Sequence, residues 1–129
     1  LGYRYLLNGI VVDGEKLGTK IGFPTANINI EESYKLIPKT GVYIITAIID
    51  GSSHNGMMNI GFNPTVKGKK QTIEAHLFDF RENLYGKKIT IELLYFLRNE
   101  QKFLSIYELI DQLKIDKENA ISFLANNPS

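Results

Sequence analysis

Apolar and polar residues alternate with a period of two along most of this chain. Six segments carry the alternation or a short apolar run, near Tyr5–Val12, Ala26–Ile30, Gly41–Asp50, Gly56–Gly61, Thr72–Phe80 and Lys88–Leu97, with Gly-, Pro-, Asn- and Lys-rich turns between them. Such segments predict β-strands, and six strands are enough to close a small barrel. The signal then becomes helical. Ser105-Ile106-Tyr107-Glu108 has the form of a capping box, and Ile106, Leu109, Ile110 and Leu113 recur at helical spacing. Asp116 is a second N-cap candidate in the same tail. The expected architecture is mainly β, a barrel with a C-terminal α-helical appendage. No internal repeat, low-complexity tract or linker interrupts it, and the polar end Asn126-Asn127-Pro128-Ser129 reads as a fraying terminus.

Composition narrows the function classes. With 129 residues, 43% of them hydrophobic and 22% charged, residues 1–129 read as one globular domain with enough apolar material for a core. A formal net charge of +1 supplies no general attraction to nucleic acid or membranes. The dense basic cluster Lys67, Lys69 and Lys70 around Gly68 reads as a solvated turn. Without cysteine the chain has no disulfide framework, thiolate metal site or cysteine nucleophile, which suits a reducing cytoplasm. No signal peptide or span of about 20 apolar residues is present, so export and membrane insertion are not expected. The chain begins at Leu1 rather than Met and reads as a module excised from a longer protein, with the missing part on the N-terminal side.

The run Gly22-Phe23-Pro24-Thr25-Ala26-Asn27 carries the first candidate chemistry. In an extended segment residues i and i+2 share a face, so the Thr25 hydroxyl and the Asn27 amide oxygen can reach one hard cation together. Pro24 fixes its own φ and biases Phe23 away from helix. Mg²⁺ typically takes one or two protein ligands and completes its shell with water and substrate phosphates, so two neutral oxygens suffice when a nucleotide brings the charge. A plain strand entry with an Asx or Thr turn fits the same run. Ahead of it, Gly14, Gly18 and Gly22 with Lys16 and Lys20 form a loop whose backbone N–H groups can close around an anion, or simply a long hairpin loop. It is not a Walker A loop, because Gly18-Thr19-Lys20 inverts the required Gly-Lys-Ser/Thr order and leads into β-type sequence.

In the segment Thr72–Phe80, Ile73, Ala75 and Leu77 share one face, which places Glu74 and His76 side by side on the other. A carboxylate on a rigid strand beside Phe78 can be partly desolvated and so become a better base than one in water. The alternative is a solvent-facing glutamate on a half-exposed strand. His76 and His54 cannot by themselves build a zinc site.

In this order and spacing the residues resemble the riboflavin kinase family, in particular the C-terminal kinase module of bacterial bifunctional FAD synthetases. The likeness runs from Leu1-Gly2 and Asn8-Gly9-Ile10-Val11-Val12 through Gly14 and the Gly22–Asn27 run to Gly41-Val42-Tyr43, Asn59-Ile60-Gly61 and Asn63-Pro64-Thr65. It continues through Glu74-Ala75-His76-Leu77, Leu84-Tyr85-Gly86 and Leu97-Arg98, so it covers nearly the whole chain. Pro-Thr-Ala-Asn followed about fifty residues later by Glu-x-His is specific in a way that none of its parts is.

The resemblance implies a six-stranded antiparallel Greek-key barrel that transfers the γ-phosphate of ATP to the 5′-hydroxyl of riboflavin, giving FMN and ADP. By motif position it implies that Thr25 and Asn27 contact Mg²⁺ and the nucleotide phosphates. Gly14 and Lys20 would belong to the loop over ATP, with Leu84-Tyr85 on the nucleotide side. Glu74 would be the base at the ribityl hydroxyl. Arg98 and the loop through Phe103 would face the flavin, in the opening between barrel and helix. An N-terminal FMN adenylyltransferase domain in the full-length protein is implied as well, and since no His-containing nucleotidyltransferase motif occurs here, FAD synthesis is not expected of this chain. Two other classes use the same composition. One is an OB-type nucleic-acid-binding barrel stacking bases on Tyr43, Phe62, Phe78 and Phe80, for which a +1 chain offers no evident basic groove. The other is a flavin-binding split barrel without kinase activity. ATP with Mg²⁺ separates them, because neither rival needs it.

Overall fold

A computed structural model describes residues 5–12, 22–30, 38–80 and 83–127 of the chain. The strands are β1 (Tyr5–Val12), β2 (Ala26–Ile30), β3 (Gly41–Ile49), β4 (Ser52–Thr65), β5 (Gly68–Leu77) and β6 (Lys88–Arg98), followed by one helix, α1 (Ile106–Asn126). Every neighbouring pair is antiparallel, and the sheet closes on itself in the order β1-β2-β5-β4-β3-β6. Since β3, β4 and β5 are consecutive hairpin neighbours and β6 returns to lie beside β3, the topology is a Greek key. Alternation decides which side chains enter the barrel. Leu7, Ile45, Met58, Ile60, Ile73 and Ile91 fill it, and all are almost completely buried.

Two hairpins run further than the alternation suggests. Asp50 and Gly51 join β3 to β4 with φ values of 51° and 82°, the left-handed pair that matches the twist of flanking strands in a two-residue hairpin. That turn carries β4 back to Ser52 through polar residues with no alternation to announce them. At the other end, Thr65 pairs with Gly68 across the turn Val66-Lys67, so β4 and β5 extend past Gly61 and Thr72. Lys67 and Lys70 are exposed there, as a solvated turn requires. β5 in turn stops at Leu77, short of Phe80, because Asp79 takes a φ of 54° and turns the chain away.

The helix begins where its capping box places it. Ser105 has extended backbone (φ −147°, ψ 161°), and its hydroxyl accepts from the Glu108 N–H at 3.2 Å. Asp116 does not start a second helix. It lies inside one continuous helix, 1% exposed, where it binds Arg98 rather than backbone N–H groups. Leu113, Asp116, Lys117, Ala120 and Phe123 follow helical spacing and make up the face laid against the barrel. Leu113 packs against an apolar cluster of Phe23, Val42, Met57, Phe78 and Leu97 on the outside of the barrel wall, and Phe123 stacks on Tyr95 at 4.7 Å.

Candidate active site

Strand register brings the candidate residues into one row. Val12 pairs with Asn27, Asn27 with Glu74, Glu74 with Asn59, Asn59 with Val42, and Val42 with Arg98, so the row crosses all six strands. Side chains at paired positions share a face of the sheet, here the outer one, because the neighbours Ala75, Met58 and Tyr43 belong to the barrel core. Asn27, Glu74 and Asn59 are all half-buried along it. With strands about 4.8 Å apart, Asn27 adjoins Glu74, whereas Arg98 lies three strands away, roughly 14 Å along the row.

Thr25 joins the row from the segment before β2. Its hydroxyl donates to Glu74 Oε1 at 3.2 Å. A hydroxyl has one proton and two lone pairs, so a Thr25 that donates to Glu74 still presents lone pairs to a cation. Among the described residues no group of three or more His, Cys, Asp or Glu side chains could cage a metal. The donor set is thus Thr25, Asn27 and one neighbouring carboxylate, which fits a cation that takes few protein ligands and many from phosphate and water.

His76, two positions along β5 from Glu74, is 8% exposed and faces the same side. Its Nδ1 lies 2.8 Å from the Pro24 carbonyl oxygen, and its ring sits 5.4 Å from that of Phe23 and 5.8 Å from that of Phe78. Nε2 is buried and finds no hydrogen-bond partner among the described residues, which costs about 1–3 kcal/mol for a group of this kind. Burial pushes the imidazole below the ordinary histidine range, and Lys117 acts in the same direction, while the bond to Pro24 opposes both. The unfolded chain therefore binds this proton more readily than the folded one. His76 contributes stability that is full above its unfolded pKa of about 6.5 and lost as pH falls towards the lower folded value. Melting temperatures measured from about pH 7.5 down to about pH 5 should fall more steeply for the wild type than for His76→Phe. Parallel curves would place the titration elsewhere.

The remaining sequence candidates divide. Arg98 is not a free cation: its Nε and Nη2 grip both carboxylate oxygens of Asp116 at 2.8–3.0 Å, and Nη1 donates to the Asn99 carbonyl. Gln112 donates to the same carboxylate at 2.9 Å. Phe103 lies beside Arg98, its ring centre 5.9 Å from the guanidinium carbon. Along this contact apolar side chains and the ion pair occupy the space between barrel and helix. Tyr85 is exposed on a turn tied to β1 by the Gly86 N–H to the Val11 carbonyl, one residue before the start of the row at Val12. Gly14 and Lys20 lie outside the described residues. Asn59, between Glu74 and Val42, escaped the sequence reading as a site residue, although its place between inward Met58 and Ile60 marks it as outward. Glu100 brings a second carboxylate to that side, over Gly61, where any Cβ would strike it. Of the aromatic residues suited to stacking bases, Tyr43 is inside the barrel core and cannot serve.

The family model for riboflavin kinase (Flavokinase) matches residues 1–124. The chain belongs to the riboflavin kinase family. Among curated relatives, the bifunctional riboflavin kinase/FMN adenylyltransferase of Bacillus subtilis is 44% identical over 129 residues, covering 98% of this chain and 40% of the relative. The namesake from Escherichia coli is 40% identical over 124 residues, covering 95% of this chain and 39% of the relative. The chain thus spans about 40% of the length of the bifunctional relatives it matches. Among solved structures, riboflavin kinase from Trypanosoma brucei superposes with a TM-score of 0.65 at 26% identity, over 99% of this chain and 84% of its own. A protein from Streptococcus pneumoniae described as a macrolide-efflux protein superposes at 0.86 with 33% identity, over 99% of this chain and 40% of its own. That description stays with that protein, and among the described residues no helix is long and apolar enough to cross a membrane. The riboflavin kinase family uses ATP as co-substrate, and its closed barrel with a C-terminal helix is the fold found in this chain.

Proposed function

We propose that residues 1–129 form a riboflavin kinase domain that moves the γ-phosphate of ATP to the 5′-hydroxyl of riboflavin, giving FMN and ADP. The observation that carries this reading, beside the family, is the contact of the Thr25 hydroxyl with Glu74 where β2 meets β5. Phosphoryl transfer asks a protein mainly for positioning and for stabilising charge on the phosphate. Glu74 accepts the proton of the riboflavin hydroxyl as it attacks. Thr25 orients that carboxylate by donating to it, and Asn27, on the same face of β2, adds the second neutral oxygen. Mg²⁺ held by Thr25 and Asn27 would neutralise phosphate charge during transfer. Gly14, Lys20 and Tyr85 serve the nucleotide. Phe103 offers an aromatic face to the flavin, and Arg98 acts on that side by holding Asp116 and the Asn99 carbonyl, which sets the path of the loop to Phe103. Full-length relatives suggest an N-terminal adenylyltransferase part as the partner, and the cysteine-free composition suits work in the cytoplasm.

The test is one assay of this chain with riboflavin, ATP and Mg²⁺. FMN and ADP are expected in equal amounts, without FAD. Thr25→Ala should raise the Mg²⁺ needed for turnover while leaving the melting temperature close to wild type, since the barrel's apolar faces are untouched. FMN bound but never formed would favour a flavin-binding split barrel. FAD formation would refute the domain boundary, and an unchanged Mg²⁺ requirement in Thr25→Ala would remove Thr25 from the metal.

A further inference from the structure

The pairing of β2 with β5 consists of Ala26 with Ala75 and Asn27 with Glu74, so the ladder ends at Ala26, two residues after Pro24, whose nitrogen carries no hydrogen to extend it. The chain is nevertheless tied to β5 one step further, through the 2.8 Å contact of His76 Nδ1 with the Pro24 carbonyl oxygen. A carbonyl oxygen only accepts, so the ring carries its proton on Nδ1 and donates it. The Pro24 carbonyl and the Thr25 nitrogen belong to one rigid peptide plane. Fixing the carbonyl therefore fixes the direction in which Thr25 leaves that plane, towards the Glu74 carboxylate at 3.2 Å.

We infer that His76 is a positioning residue, whose Nδ1–H holds the Pro24–Thr25 peptide so that the Thr25 hydroxyl faces Glu74. Its bearing on phosphoryl transfer rests on the kinase reading given above; the alignment itself does not. Packing alone does not account for a histidine here. Phenylalanine or leucine would meet Phe23 and Phe78 equally well, without a buried Nε2 that lacks a partner among the described residues. What no apolar residue supplies is the donor to Pro24. Asparagine is the complementary case, a poorer filler whose amide N–H can take the place of Nδ1–H.

The experiment compares His76→Phe and His76→Asn with wild type in the full chain, by FMN-forming kinetics, thermal unfolding, the Thr25 amide chemical shift and hydrogen exchange at Asn27. In His76→Phe, kcat/KM for ATP with Mg²⁺ should fall about 10- to 100-fold, as expected when a reacting group is misplaced by a fraction of an ångström to about an ångström. Its melting temperature should stay near wild type, while the Thr25 amide shifts and Asn27 exchanges faster. His76→Asn should recover most of the lost activity and the Thr25 shift despite a lower melting temperature. Wild-type kinetics with an unmoved Thr25 amide in His76→Phe would overturn the inference, and so would two variants whose activities simply track their melting temperatures. If the wild type makes no FMN, the kinase reading falls alone. The amide shift and exchange then decide the positioning role, an unmoved Thr25 refuting it and a displaced one restored by asparagine supporting it.

Discussion

Replacing Glu74 by glutamine should lower kcat for FMN formation by about 100- to 10,000-fold, with riboflavin and ATP binding changed far less. The substitution is nearly isosteric, and its amide oxygen can still accept from the Thr25 hydroxyl, so the 3.2 Å contact at the junction of β2 and β5 has a surrogate. What glutamine cannot do at neutral pH is take a proton. If Glu74 were only an outward residue on a half-buried strand, the change would alter stability by no more than about 0.5 kcal/mol and turnover hardly at all. The decisive measurement is kcat together with both binding constants and the melting temperature. Near-normal kcat would move the base elsewhere, and loss of activity with loss of folding would make Glu74 structural.

The second large effect belongs to stability. Asp116→Asn keeps the shape of a side chain that is 1% exposed, but leaves the Arg98 guanidinium, only 19% exposed, without its counter-charge. Breaking a buried pair from one side costs about 3–5 kcal/mol, and the lower end is expected here because Arg98 keeps some access to water. For a domain of this size that corresponds to a melting temperature lower by roughly 10 °C. Replacing both partners with leucine should recover most of the loss, since an apolar pair leaves no charge stranded. Chemical denaturation of the two variants checks this. A loss under about 1 kcal/mol in Asp116→Asn would mean that Leu113 and the Phe23, Val42 and Met57 cluster dock the helix without help.

Some of this was legible in the chain and some was not, for definite reasons. β1 and β2 could be bounded from sequence because β1 is a short, largely apolar run closed by Asp13-Gly14 and β2 an unbroken alternation that follows Gly22 and Pro24. Ser52–Asn55 has no alternation and joins β4 only because the Asp50-Gly51 turn folds it back on β3, so the usable signal was the turn and not the strand. Asp116 reads locally as a cap, since short acidic residues favour helix starts; its partner Arg98 is 18 positions away, and only the docked helix brings them together. Period two placed Glu74 and His76 on one face. It could not place Asn27 beside Glu74, which depends on β2–β5 register, nor join His76 to a carbonyl 52 positions earlier.

The row from Val12 to Arg98 also sets when the site can exist during folding. It passes through all six strands, and the seam that closes the ring lies between β1 and β6, where the Thr90 hydroxyl meets Asn8 across 82 positions of sequence. Such long-range pairings carry a heavy loop-closure cost, and barrels dominated by them fold on a scale of milliseconds to seconds. On a ribosome, β1 through β5 emerge with both flanks of the incipient sheet unpaired, and the ring cannot shut until β6 is free. Asn27, Glu74 and the Arg98 end are therefore set in one frame only with the last strand, and under the proposed kinase function nascent chains that stall before it are without activity however well their hairpins have formed.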